Sequence, residues 1–338
     1  MRKHDDGTGI STAAASTAVQ KKPCWNGPLL VLILAAGLLS SCATPQLKQM
    51  RRTGVEVPVQ TELDKTPFHP QKKYQCGPAA IATVLEFNQR RVSLADIASK
   101  VYLPGRKGSL QTDMLSSISR YGLLAYRLAP RYPDLLTEVA NGTPVVVLQN
   151  LGIKWLPKWH YAVVIGYDLK KEKIFLRSGT DRRRVTSMKL FERTWKRSGY
   201  WGFLVLKPGR LPSTAKPLPY LNAAVALERA NKPAAALASY QAAAKRWPNN
   251  LLVRIALANS YYSQKNYVLA EQEYRGIIKK FSNAADAYNN LASLLLEQKR
   301  VQEAARYSKK AISIGGKNIM VYRQTLAEIT RLQQTSKL

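Results

Sequence analysis

The sequence predicts two unlike regions in one chain: a globular region that mixes helices with apolar strands, then an all-α solenoid. Three observations carry this. A helix-like run, Ala79–Phe87, is followed further on by apolar β-type runs at Val145–Val147 and Ala162–Ile165. The segment Lys207–Pro219 holds Pro208, Pro212, Pro217 and Pro219, the composition of a linker. Beyond it the chain turns Ala-, Leu-, Tyr- and Asn-rich and repeats every 34 residues, as at Ala224, Ala258 and Ala292. A length of 338 residues with 46% hydrophobic residues suffices for two real cores.

From the N-terminus, Lys21-Lys22 precede an apolar run, Leu29–Leu39, and small residues follow it. That is the order of a secretory signal, and the run is too short for a span of ~20 residues. A polytopic membrane protein is therefore not expected. Leu39-Ser40-Ser41-Cys42 resembles the bacterial lipobox, whose cysteine is diacylated and becomes the first mature residue. With Ala43 after it, the resemblance implies an outer-membrane lipoprotein facing the periplasm. Residues 1–42 are thus read as signal peptide, with Cys42 as the lipid anchor, and 43–66 as a polar tether. Cys24 falls in the removed part, which leaves Cys76 as the only thiol of the folded chain and no internal disulfide.

The globular region spans about 67–209. Gly77-Pro78 opens a helix after Cys76, and a cysteine at a helix N-terminus is expected to have a lowered pKa and thiolate character. From residue type alone, a buried core cysteine is the competing reading. The surroundings point elsewhere. Gln71 with Cys76-Gly77-Pro78, the helical pieces at Ser93-Leu94-Ile97 and Gly108–Ile118, the strand at Gly142–Val147 and the block Trp159-His160-Tyr161-Ala162-Val163-Val164-Ile165-Gly166 resemble papain-like cysteine peptidases of the bacteriocin-processing, double-glycine-cleaving family. The resemblance covers about Pro67–Leu206 and implies a papain-like α+β domain. By the same resemblance, Cys76 is the nucleophile and His160 the base. The Cys76 N–H and the Gln71 side chain would bind the oxyanion, with Gln75 a second candidate for that donor. His69 is a candidate to line the cleft, and His4 lies in the removed segment.

One departure stands out. The family orients its histidine with an Asp on the next strand, and here Ser178-Gly179 occupies that place. Ser178 or a backbone carbonyl could take over, Asp181 could fold back, or the site could be inactive; Ser178 is the favoured third residue. Asp168 sits in the preceding turn and is too far. Trp155, Trp159 and Tyr161 could wall a cleft or pack in a core. Arg177 and Arg182–Arg184 could meet acidic ligands or be a solvated strand edge.

After the linker, 210–219, three repeats start near Tyr220, Asn250 and Ala284, with a capping helix near Val321–Leu332. They resemble tetratricopeptide repeats, which implies a protein or peptide partner. The net charge of +31 is spread along the chain and favours acidic surfaces in general. Secretion argues against nucleic acid as a partner. No Walker-type phosphate loop occurs, so an ATP-driven exporter is not expected; no cofactor is expected, and two mature histidines with one cysteine argue against a zinc site. The expected function is a membrane-anchored cysteine peptidase with a peptide substrate. Its competitors are an inactive pseudo-peptidase that only binds peptides, and a peptidoglycan endopeptidase. The latter usually carries Asp-Cys-Ser where this chain has Gln75-Cys76-Gly77.

Overall fold

The computed structural model describes residues 44–335, so the signal segment 1–42 and Cys42 lie outside the described residues. The 43–66 segment departs from the tether expected of it. It forms helix α1 (Pro45–Thr53) and strand β1 (Gln60–Glu62). Both owe their existence to distant residues. The buried Glu192 accepts hydrogen bonds from the N–H groups of Gln46 and Leu47, each at 2.9 Å, and so fills the missing N-cap of α1. Arg51 forks onto Glu172 at 2.8 and 2.6 Å.

The globular region continues with α2 (Cys76–Phe87), α3 (Leu94–Val101), α4 (Gln111–Arg120), β2 (Leu124–Arg127), α5 (Tyr132–Ala140), β3 (Val145–Asn150) and β4 (Trp159–Asp168). It ends with β5 (Lys173–Ser178), β6 (Asp181–Ser187), α6 (Met188–Lys196) and β7 (Gly202–Leu206). The strands form one antiparallel sheet in the order β2-β7-β3-β4-β5-β6. Alternation along each strand divides the core into two layers. Val145, Val147, Ala162 and Val164 face α1, α5 and α6, whereas Val146, Leu148, Tyr161 and Val163 face α2, α3 and α4. The edge strand β6 is exposed over Asp181–Val185 and carries three arginines, a charged edge that resists pairing with another chain.

β1 pairs with the second half of β4, where β3 has ended, and Glu62 lies opposite Gly166. A side chain at 166 is impossible without movement, because a Cβ there would stand 2.4 Å from the Thr61 carbonyl oxygen and 2.9 Å from Phe175. Gly166→Ala is therefore expected to destabilise the fold by about 1–3 kcal/mol through overpacking. A urea titration would read this as a lower midpoint at unchanged slope; an unchanged midpoint would mean that β1 does not seat on β4.

The linker, 210–219, is not free chain. Thr214 donates through its N–H and Oγ to Glu138 at 2.6 and 2.7 Å, Tyr126 Oη caps the N–H of Lys216, and helix α7 already begins at Pro217. The solenoid comprises α7 (Pro217–Arg229), α8 (Pro233–Arg246), α9 (Leu251–Ser263), α10 (Tyr267–Lys280), α11 (Ala285–Glu297), α12 (Val301–Ile314) and α13 (Ile319–Thr335). This is three helix pairs and a capping helix. The small residues of the 34-residue period, Ala224, Ala258, Ala292, Ala236, Ala270 and Ala304, are all fully buried, because the helices cross there. The turn inside each pair uses one device three times. Asn231, Lys265 and Lys299 take left-handed φ of 56°, 59° and 61°. The next N–H bonds back five residues to close the first helix, as from Lys232 to Leu227 at 2.9 Å.

Candidate active site

Cys76 is the first residue of α2, and the backbone reaches it through strain: Tyr74 has φ of 65°. Gly77 is required beside it. A Cβ at that position would lie 2.4 Å from Ser109 Oγ and 3.2 Å from Met114 Sδ, so only glycine lets the start of α2 close on α4 and the loop before it. The remainder of α2 is buried on nearly every side, from Gly77 to Leu85, which fixes the helix under the sheet and the sulfur at its mouth.

His160 is the second residue of β4, and the backbone of its neighbour Tyr161 acts on the Cys76 thiol to lower its pKa. His160 Nε2 lies 2.8 Å from Ser178 Oγ, at the end of the adjacent strand β5. The hairpin that follows ties in the third piece: the Gly179 carbonyl accepts the Gln71 N–H at 3.1 Å. Gln71, Cys76 and Ser178 line one cavity of about 10 Å³, room for roughly one water molecule, together with His69 and Tyr161. Among the described residues no hydrogen bond joins Cys76 to His160, and the Gln71 side chain has no hydrogen-bond partner.

The electrostatics differ from the local expectation. Burial pushes the Cys76 thiol above 9.0, and the backbone hydrogen bonds from Tyr161, Gly77 and Cys76 itself offset this only in part. The helix N-terminus acts in the expected direction but loses to desolvation. His160 is held down at about 4 by burial first, and then by the positive charges of Arg184 and Lys158. Both groups are therefore neutral at rest, and His160 is not among the residues that line the Cys76 cavity.

The alternatives for the third residue separate cleanly in space. Asp181 opposes Ser178 in the β5–β6 register, but its carboxylate turns to Arg184 at 3.6 Å. Asp168 holds the β4–β5 turn by accepting the Lys171 N–H at 2.9 Å. Gln75 lies just before α2 and bonds back to Lys72 through its N–H. His69 pairs with Glu86 at 2.8 Å. Arg177 is buried and spends its guanidinium on backbone carbonyls, so it belongs to the frame and not to an exposed basic patch. Arg183 forks onto Glu62 at 2.6 and 2.8 Å. Tyr161 packs edge-on against Trp201, whereas Trp155 and Trp159 stand in solvent. The Arg177 frame and the Glu192 cap escaped the sequence reading, because nothing local distinguishes them from ordinary surface charges.

The family described as "Peptidase_C39 like family" matches residues 55–202, and "Tetratricopeptide repeat" matches 221–284 and 258–318. The chain joins a C39-like peptidase domain to tetratricopeptide repeats. Among solved structures, a putative C39-like peptidase from Bacillus anthracis is similar at 17% identity over 44% of this chain and 98% of its own, with a TM-score of 0.38. A double glycine motif protease from an AMS/PCAT transporter, solved with its leader peptide, is similar at 19% identity over 42% of this chain and 92% of its own, with a TM-score of 0.32. The first repeat domain of Spaghetti (RPAP3), bound to an HSP90 peptide, is similar at 16% identity over 35% of this chain and 94% of its own, with a TM-score of 0.33. No curated protein sequence matches the chain. Among the described residues, no group of three or more His, Cys, Asp or Glu could hold a metal ion, and no helix is long and apolar enough to cross a membrane.

Proposed function

We propose that the C39-like domain is a cysteine peptidase acting on an extended peptide in the bacterial envelope, held at the outer membrane through a lipidated Cys42, with the repeats recruiting substrate or a partner protein. The observation that carries the reading is the His160–Ser178 bond at 2.8 Å, whose Ser178 lines one cavity with Cys76, Gln71 and Tyr161. It orients the imidazole through Nε2. Nδ1 is then the nitrogen that takes the Cys76 proton as the sulfur attacks the scissile carbonyl, and that returns it to the leaving amine. In the resting tautomer Nε2–H donates to Ser178 Oγ. The Cys76 N–H and the Gln71 amide stabilise the developing oxyanion.

A second reading has its own support. The raised thiol, the lowered histidine and the lack of a carboxylate beside the imidazole are what a peptide-binding pseudo-peptidase would also carry. Labelling of Cys76 in the full chain by a peptidyl electrophile separates the two. It is followed on the Cys76 peptide by mass spectrometry, since Cys24 and Cys42 are also present. A peptidase loses about 10²-fold or more of the rate at pH 7 in His160→Ala. A scaffold labels with a rate that only climbs with pH beyond 9.0, as its raised thiol ionises, and ignores His160. Lipidation is read separately, from the mass of the mature N-terminal peptide with and without Cys42→Ser.

A further inference from the structure

The loop between β3 and β4, with the first residue of β4, Leu151–Trp159, reads LGIKWLPKW. Its large apolar side chains are exposed: Trp155 by 77%, Leu156 by 71% and Trp159 by 52%, with Ile153 and Leu151 above 40%. At this exposure these side chains are not packed into the core of the domain. The segment holds Lys154 and Lys158 and no acidic residue.

The loop is built, not slack. Leu151 N–H donates to the Lys158 carbonyl at 2.9 Å and Ile153 N–H to the Leu156 carbonyl at 3.2 Å. Asn150 Oδ1 accepts from Gly152 and Lys158, both at 2.9 Å. Gly152 is obligatory, since a Cβ there would stand 2.3 Å from the Leu156 carbonyl oxygen. Arg197, just past α6, donates to the Gly152 carbonyl and braces the base. A water-facing loop has no use for so rigid a display of tryptophan and leucine. A preformed apolar tip loses little conformational freedom when it is buried, and tryptophans flanked by lysines match the boundary between headgroups and acyl chains.

We infer that this hairpin is a membrane-interface wedge, which seats Trp155, Leu156 and Trp159 among the headgroups of an anionic bilayer while Lys154 and Lys158 meet lipid phosphates. Charge complementarity with a chain of +31 selects the anionic surface. His160 follows Trp159 directly, and the wedge would therefore hold the active site at the bilayer surface.

The test uses the full chain on anionic vesicles containing lipids brominated near the headgroup, comparing tryptophan quenching in wild type and Trp155→Phe/Trp159→Phe. The remaining tryptophans are common to both, and the changed side chains are exposed, so folding is preserved. Wild type is expected to be quenched about twofold more strongly than the variant, and Lys158→Gln to weaken binding to these vesicles by about fivefold. Equal quenching in the two chains overturns the wedge. Unchanged quenching with a raised KM for peptide in the variant overturns it too, and assigns the hairpin to the substrate instead. Because the comparison is between chains with the same N-terminus, an unlipidated Cys42 would leave the quenching difference in place.

Discussion

Ser178→Asp is expected to activate Cys76. The His160 imidazole has a hydroxyl at 2.8 Å where a carboxylate would stabilise its protonated form, and its electrostatic surroundings are positive, from Arg184 and Lys158. A carboxylate at that distance raises a histidine by about 1–3 pKa units. Each unit favours the thiolate–imidazolium pair about tenfold over the neutral pair. Labelling of Cys76 by a small alkylating agent at pH 7 should therefore rise at least about tenfold in Ser178→Asp. In Ser178→Ala the imidazole loses its only hydrogen bond among the described residues, and the rate of any peptidase activity should fall. If Ser178→Asp leaves the rate unchanged, the thiol is not coupled to His160, and the reading of the pair as a dyad fails.

The same substitution has a second readout. Burial lowers His160 from 6.5 to about 4 in the folded chain. Between those values the unfolded chain binds a proton that the folded chain does not. Stability from this group is thus complete above pH 6.5 and is lost progressively as pH falls toward about 4. The loss is of the order of 3 kcal/mol. Ser178→Asp should shrink this acid-labile component, because the folded pKa moves back toward that of the unfolded chain. Urea midpoints at pH 7 and pH 4.5, compared between wild type and variant, measure it.

The periodic and local features were legible. Six alanines spaced by 34 specify helix crossings, and all six are buried. Cys76-Gly77-Pro78 marks a helix start, and Trp159-His160 a strand start, because each signal lies within a few residues. What escaped depends on partners far along the chain. α1 buries only Leu47 and Met50 and takes its cap from Glu192, so residues 43–66 read as a tether. The proline-rich linker is stitched down by Glu138, which nothing nearby announces. The thiol shift was misjudged for the same reason. A helix N-terminus is visible in sequence, whereas the burial that outweighs it comes from the packing of Cys76 against the core layer of α2, α3 and α4.

Arg177→Met should cost about 3 kcal/mol or more and disorganise the site before it unfolds the domain. The Arg177 guanidinium donates to the Thr66 carbonyl at 3.0 and 2.7 Å, to the Asp64 carbonyl at 2.7 Å and to the Arg182 carbonyl at 2.5 Å. Methionine approximates the stem and keeps none of these bonds, and a buried carbonyl left without a donor costs about 1–3 kcal/mol. Lysine cannot restore them, because a point charge lacks the planar fork that serves three carbonyls at once. The consequence for function follows from where those carbonyls lie. Asp64 and Thr66 lead straight into the segment that carries Gln71, and Arg177 precedes Ser178 in β5. One buried guanidinium therefore sets the loop of the oxyanion candidate against the strand of the histidine's partner. In Arg177→Met, Cys76 labelling by a peptidyl probe should lose its dependence on His160 in urea well below the global unfolding midpoint. A variant within 1 kcal/mol of wild type, still labelling in a His160-dependent way, would mean that solvent replaces the guanidinium and that the frame lies elsewhere.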